Sequence, residues 1–292
     1  MAPFWYLRNH AVEGRRSLEA VLIRDDRRTA ARAKALAGVA VMAFADADLD
    51  VSAEYAEDAL ALHREFGDRK GVAYSAMLLG NALGEAQPAS QMARAQKLLE
   101  ESVDGFREVG DVESELRAAY NLATVVSDPG RERAILEDNM RRARALGLER
   151  DESMALGALA GFARREGRTD EAVSMLARCI RIERNIGDLA WTAINLGRLA
   201  AALASGGKLV PAACLLGNAE GLREKVGLRR PLWATEINDE THTAIRAELD
   251  DARFAEAFEE GRRLTIDDAI TLALDAVDRE RSTLEESETS GG

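Results

Sequence analysis

The sequence predicts an all-α protein built as a solenoid of helical hairpins, a right-handed superhelix closed by a C-terminal helical cap. Three observations carry this. Ala, Leu, Glu and Arg dominate the 292 residues, aromatics make up 5%, prolines number 5, and charges interrupt the apolar stretches every few residues, the profile of soluble helices. Near-copies of one sentence recur as REFGDRKGVAYSAMLLG (64–80), REVGDVESELRAAYNLA (107–123) and RNIGDLAWTAINLGRLA (184–200). Glycines mark the period: Gly67, Gly110, Gly147, Gly187 and Gly227 each follow an amphipathic run, at intervals of 43, 37, 40 and 40.

Each of these glycines is placed to be the left-handed residue that ends a helix, and Asp68, Asp111 and Asp188, directly after three of them, are placed to N-cap the next. Twelve residues beyond four of the glycines stands a Leu followed by a small residue: Leu79-Gly80, Leu122-Ala123, Leu159-Ala160 and Leu199-Ala200, with Leu36-Ala37 fitting an earlier copy. A large knob beside a gap is a helix-hairpin contact, and Ala172 and Ala212 supply the small contact residue of the second helix. One pair cannot bury both its faces, so pairs stack. At least five are expected.

After Gly227 the Leu-small pair is lost and three helical runs follow, near 233–249, 251–260 and 265–275. A terminal repeat must cover an apolar face that no neighbour will bury. Phe254, Phe258, Leu264, Ile266, Ile270 and Leu274 supply the cover, with Gly261 closing one helix and Thr265 capping the next in a capping box with Asp268. The expected organisation is a repeat array over 1–250, capping helices over 251–276 and a disordered acidic tail over 277–292.

The leucine-small and later alanine pattern resembles the tetratricopeptide repeat, although the period exceeds its usual 34 residues and its Trp, Tyr and Pro positions are mostly missing. The two ends add to the resemblance. FWYLRNHAVEGRRSLEAVL (4–22) and FAEAFEEGRRLTIDDAITLAL (254–274) are similar to the opening and closing signatures of the repeat region in bacterial MalT-like and LuxR-type signal-transduction ATPase regulators and the related ATPase-linked adenylate cyclases. In that family a P-loop ATPase module precedes the repeats and a helix-turn-helix often follows. The present sequence has no GxxxxGK[ST] phosphate cradle, and the polar stretch after Leu274 is too short for a DNA-binding domain. What the resemblance implies is the arm that receives a signal or holds a partner.

Lys and Arg total 39 against 51 Asp and Glu, a net charge of −12, so phosphate backbones and anionic membranes are repelled on average and no direct nucleic-acid or membrane partner is expected. Cys179 and Cys214 lack CxxC spacing and read as core thiols in a reducing cytoplasm. No signal-peptide core and no run approaching 18 apolar residues is present, so the expected location is cytoplasmic.

Chemistry-bearing patterns are sparse. DADLDVSAEYAE places Asp46, Asp48, Asp50 and Glu57 at positions 1, 3, 5 and 12 of a calcium-binding loop, but Val51 stands where that loop needs glycine, and an inter-helix turn capped by Asp50 or Ser52 is the competing reading. EINDETH gathers Glu236, Asp239, Glu240 and His242, too few nitrogen or sulfur ligands for zinc. His10 and His63 have no Ser or Cys nucleophile at recognisable spacing. Phe4, Trp5 and Tyr6 read as packing of the first helix or as a partner surface. By register from the Leu-small pairs, Tyr74, Met77, Asn81, Arg117, Tyr120, Thr124, Met154 and Arg164 fall on the inner-groove face of the first helix of each unit, where binding and inter-repeat packing compete.

The expected function is therefore non-enzymatic: a protein-interaction or signal-sensing module of a bacterial transcriptional regulator, holding a protein, a peptide or a small effector in its groove, with no cofactor. The alternative is a metal- or metabolite-operated module using the loop from Asp46 to Glu57.

Overall fold

The computed structural model describes residues 11–86, 89–226 and 232–276. Its helices are α1 (Ala11–Arg24), α2 (Ala30–Ala45), α3 (Leu49–Glu65), α4 (Arg69–Ala86), α5 (Ala89–Val109), α6 (Val112–Ala123), α7 (Pro129–Leu146), α8 (Glu149–Arg165), α9 (Thr169–Ile186), α10 (Leu189–Ser205), α11 (Leu209–Val226), α12 (Leu232–Glu248) and α13 (Asp251–Gly261). A last one, α14, spans 266–276, and no strand occurs among the described residues. The chain is an all-α helical-hairpin repeat protein. It divides into two compact units, Met1–Asn139 and Met140–Gly292, the division falling inside α7.

How the helices end sets the repeat. Gly67, Gly110, Gly147, Gly167, Gly187 and Gly207 all take φ between 66° and 76°, the left-handed conformation that costs a glycine nothing. The N–H after each bonds back five residues: Asp68 to His63, Asp111 to Phe106, Leu148 to Ala143, Arg168 to Ala163, Asp188 to Glu183 and Lys208 to Leu203, at 2.8–3.0 Å. This closes the last carbonyls of each helix in the Schellman arrangement. Ala47, at φ 59°, does the same without being glycine, with Asp48 N–H on the Ala43 carbonyl at 2.9 Å. Gly167 and Gly207 halve the period read from the sequence: left-handed residues at 147, 167, 187 and 207 are spaced by twenty, one per helix. Gly227 lies outside the described residues.

The predicted caps form. Asp68 accepts from Gly71 N–H at 2.9 Å, Asp111 from Ser114 N–H at 3.2 Å and Asp188 from Trp191 N–H at 3.2 Å. All five Leu-small pairs are buried, as are Ala172 and Ala212. At Gly80 the missing side chain matters, since a Cβ there would stand 2.7 Å from Leu99 Cγ on α5.

In the first unit α2, α4 and α6 lie side by side, and α3 and α5 pack against them as a second layer. Residues from α2 to α6 share one apolar core that includes Leu36, Leu60, Leu79, Leu99 and Phe106. In the second unit α8, α10 and α12 form the first layer and α9, α11 and α13 the second. Their core holds Leu176, Ile180, Leu196, Leu199, Leu203 and Leu215.

The C-terminal cover is as predicted in composition. Phe254 and Ile270 are buried in the core of the second unit and Phe258, Ile266 and Leu274 pack against it, while Leu264 is half-buried. Thr265 and Asp268 form the capping box, with Thr265 Oγ1 donating to Asp268 Oδ2 at 2.6 Å and Asp268 N–H returning to Oγ1 at 3.2 Å. Gly261 plays a different part from the one expected. It sits in the last turn of α13 without a positive φ, and its missing side chain lets α13 cross α11 at backbone contact: a Cβ there would overlap the Cys214 carbonyl, and one at Gly217 the Phe258 carbonyl. Asn218 Nδ2 seals the crossing by donating to the carbonyls of Gly261 at 3.0 Å and Leu264 at 2.8 Å. The predicted tail over 277–292 and the residues Phe4, Trp5, Tyr6 and His10 lie outside the described residues.

Candidate functional site

The spacing of Tyr74, Met77 and Asn81 on α4, three and then four residues, places them on one helix face, and Arg117 and Tyr120 on the adjacent α6, with its C-cap Thr124, repeat it. Within that strip the side chains divide. Tyr74 is 38% exposed, Asn81 and Arg117 are half-buried and Thr124 is exposed. Arg117 pairs with Glu113 at 2.8 Å, and the Thr124 hydroxyl donates to the Asn121 carbonyl at 2.7 Å, so Thr124 serves to finish α6. Met77, Tyr120 and Met154 do not line a groove. They are 5%, 7% and 8% exposed and belong to the packing between helices.

The reason for Met77 and Tyr120 lies in register. Both stand two residues before the leucine of a Leu-small pair. In the second unit the same slot holds Gly157 and Gly197, and there side chains of the next first-layer helix fill it: a Cβ at Gly157 would stand 2.8 Å from Arg198 Nη1 and 2.9 Å from Asn195 Oδ1, and one at Gly197 would overlap Asn238. Arg164, half-buried on α8, reaches Ser205 Oγ on α10 at 3.4 Å. Arg165 lies over the Phe162 ring at 4.5 Å, and Arg198 lies 5.8 Å from the Trp191 centroid with Nη1 donating to Asn195 Oδ1 at 3.1 Å.

A second constellation was not legible in the sequence. The residues whose carbonyls close the seven left-handed helix ends are all buried, and five of them are Ala43, Phe106, Ala143, Ala163 and Leu203. The other two are His63 and Glu183. Each is paired with the residue twelve further on, His63 Nδ1 with Ser75 Oγ at 2.9 Å and Glu183 Oε1 with Asn195 Nδ2 at 2.7 Å. Ser153 Oγ donates to the same Oε1 at 2.7 Å, whereas Glu183 Oε2 has no partner.

Burial pushes the Glu183 carboxyl up to about 8, the two hydrogen bonds opposing it only in part. Burial also lowers the His63 value, outweighing Asp68, whose Oδ2 is 3.9 Å from Nε2. Burial thus favours the neutral form of each. The signal that would have found them is a polar residue four before the glycine, HREFGD and ERNIGD against FREVGD and ARALGL.

The loop reading for Asp46, Asp48, Asp50 and Glu57 is overturned. The connection is a short turn at 46–48, and α3 begins at Leu49, so Asp50 lies in its first turn and Glu57 two turns further along a rigid helix. Asp48 pairs with Arg15 at 2.9 Å and Glu57 with Arg94. The N-cap position is Asp48, neither Asp50 nor Ser52, and the buried Ser52 hydroxyl donates to the Ala40 carbonyl at 2.9 Å. Among the described residues no three His, Cys, Asp or Glu side chains gather as a metal group. In the EINDETH stretch His242 meets the edge of Phe254 at 4.7 Å between centroids.

The thiols of Cys179 and Cys214 are buried and pushed up to about 12 and about 11 by desolvation. Both are core residues. No helix among the described residues is long and apolar enough to cross a membrane.

No family model matches the chain, and no curated protein matches it. Among solved structures, the crystal structure of BtubC (BKLC) from P. vanneervenii is similar, with a TM-score of 0.53 and 17% sequence identity over 76% of this chain and 91% of that one. The likeness is one of fold.

Proposed function

We propose that the chain is a non-enzymatic interaction module that receives a protein or peptide on the first-layer face of its first unit. The observation that supports this is the strip on α4 and α6 where Tyr74, Asn81 and Arg117 keep an aromatic ring, an amide and a guanidinium at the surface, on helices whose other faces are buried. Tyr and Arg are the residue types from which binding hot spots are built. The buried polar groups His63, Glu183 and Glu152 are committed to contacts within the fold; Glu152 Oε1, for example, takes Arg144 at 2.9 Å and Arg178 at 2.7 Å. In this reading the module is the sensing arm of a cytoplasmic signal-transduction or transcription regulator, as the end signatures imply.

Its test is retention of a cognate protein by the immobilised chain, compared with a Tyr74→Ala/Arg117→Ala double variant of equal melting temperature. Loss of one retained protein of at least tenfold in the variant is the expected result. Equal retention by both chains would remove the strip from the binding surface.

A further inference from the structure

Among the described residues seven helix ends share one backbone geometry, and at each the residue whose carbonyl closes the turn is buried. Ala, Phe or Leu at that slot is a buried apolar side chain with no proton to exchange. Glu183 fills it with a carboxyl group 1% exposed, and among the described residues none donates to Oε2.

We propose that Glu183 is a proton-operated latch of the second unit: with its proton on Oε2 the junction of α9 with α10 is shut, and loss of that proton to solvent opens the junction to water. The groups that face the carboxyl explain why the two states differ. From α8, Ser153 already gives its hydroxyl to Oε1. From α10, Asn195 gives its amide to the same oxygen, and Arg198 is engaged by Asn195 Oδ1. From the junction itself comes Asp188, a like charge that opposes ionisation and is paired with Arg150 at 3.2 Å. On α9, Cys179 lies one turn earlier with Sγ toward the Ser153 carbonyl at 3.4 Å.

The charge of Arg198 favours the carboxylate, and burial and Asp188 oppose it. A neutral carboxyl leaves one weakly costly hydroxyl unpaired; a carboxylate leaves a buried charge half-solvated, and the donor able to reach it is water. Water can enter only if α10 moves from the end of α9. The apolar slots at Phe106, Ala143, Ala163 and Leu203 hold no proton to lose, so they do not respond.

Trp191, in the first turn of α10 and tied to Asp188 through its backbone N–H, is the reporter. In the full-length chain with Trp5→Phe and Trp233→Phe, Trp191 emission is followed from pH 6 to pH 10. The expected result is a reversible red shift centred near 8, the value to which burial raises the carboxyl. Glu183→Gln should hold its pH 6 emission throughout. Ser153→Ala, which removes a donor to the carboxylate, should move the midpoint upward, and it decides the matter if Glu183→Gln does not fold. A carbon-13 titration of the glutamate carboxyls needs neither variant and should show one resonance titrating near the same midpoint. An emission that does not change in the wild-type background, a transition of unchanged midpoint in either variant, or carboxyls that all titrate below pH 6 would overturn the latch.

Discussion

Glu183 and Asn195, joined at 2.7 Å, occupy the same two positions around a left-handed glycine as His63 and Ser75, joined at 2.9 Å. In the intervening copies those positions are Phe106 with Ala118 and Ala143 with Ala155, all buried. Among the described left-handed helix ends, a slot that otherwise takes Ala, Phe or Leu thus accepts a polar side chain twice, His63 in one compact unit and Glu183 in the other. A hydrogen-bonded polar pair is tolerated inside a protein because its polar atoms meet each other and are not left bare.

His63 makes the first unit sensitive to acid. Its folded-state value lies below the usual imidazole range because burial disfavours the cation. The unfolded chain therefore binds the proton more readily, so the stability contributed by neutral His63 is complete above the unfolded value near 6.5 and is lost as pH falls through it and on toward the folded value. Melting of the wild type between pH 7.5 and pH 5 should fall further than that of His63→Gln, which keeps a hydrogen-bonding atom and carries no titrating proton. Parallel curves would show that His63 does not titrate across folding.

Gly217→Ala and Gly261→Ala should each loosen the C-terminal cover. At both positions the added Cβ meets a backbone carbonyl, of Phe258 and Cys214 respectively, which cannot swing aside as a side chain would. A loss of about 1–3 kcal/mol per substitution is expected from overpacking of this kind, measured by urea denaturation. A chain ending at residue 250 should aggregate, because Leu203 and Leu215 would lose Phe254, Ala257 and Ile270 from their core.

Leu122→Ala and Leu159→Ala remove knobs that are 6% and 7% exposed, and each should destabilise by about 2–5 kcal/mol. Silence of both in a melt would mean that the repeat register is wrong.

Ala47→Gly should stabilise. Ala47 holds φ 59°, a conformation that costs an L-residue roughly 1–2 kcal/mol and a glycine nothing, offset in part by the greater freedom of glycine in the unfolded chain. A net gain of about 0.5–1 kcal/mol is expected by the same denaturation measurement. A decrease would mean that the left-handed turn at 46–48 is not the ground state.

The all-α class, the Asp68, Asp111 and Asp188 caps, the Leu-small contacts and the Thr265–Asp268 box were legible because each rests on a local pattern that few other structures satisfy. Gly167 and Gly207 were missed because Glu166 and Gly206 stand before them where the other glycines have an apolar residue, although the backbone treats all six alike. Met77, Tyr120 and Met154 were placed on a groove by helix register, which fixes direction within one helix but not how near the neighbouring helix comes. The acidic run from Asp46 to Glu57 imitated a calcium loop because carboxylates are favoured at helix N-termini for electrostatic reasons of their own. Glu183 was invisible as an exception until the equivalent slots had been brought together by their shared backbone geometry.

Photo-crosslinking from two single positions tests the proposed binding face most directly. A photoreactive residue replacing Asn81 lies on the strip of α4, and one replacing Lys97 lies exposed on α5 in the other layer. The account predicts that irradiation in cells joins one protein species to the chain from position 81 and none from position 97. Crosslinking of the same species from position 97 alone, or to equal extent from both, would contradict it.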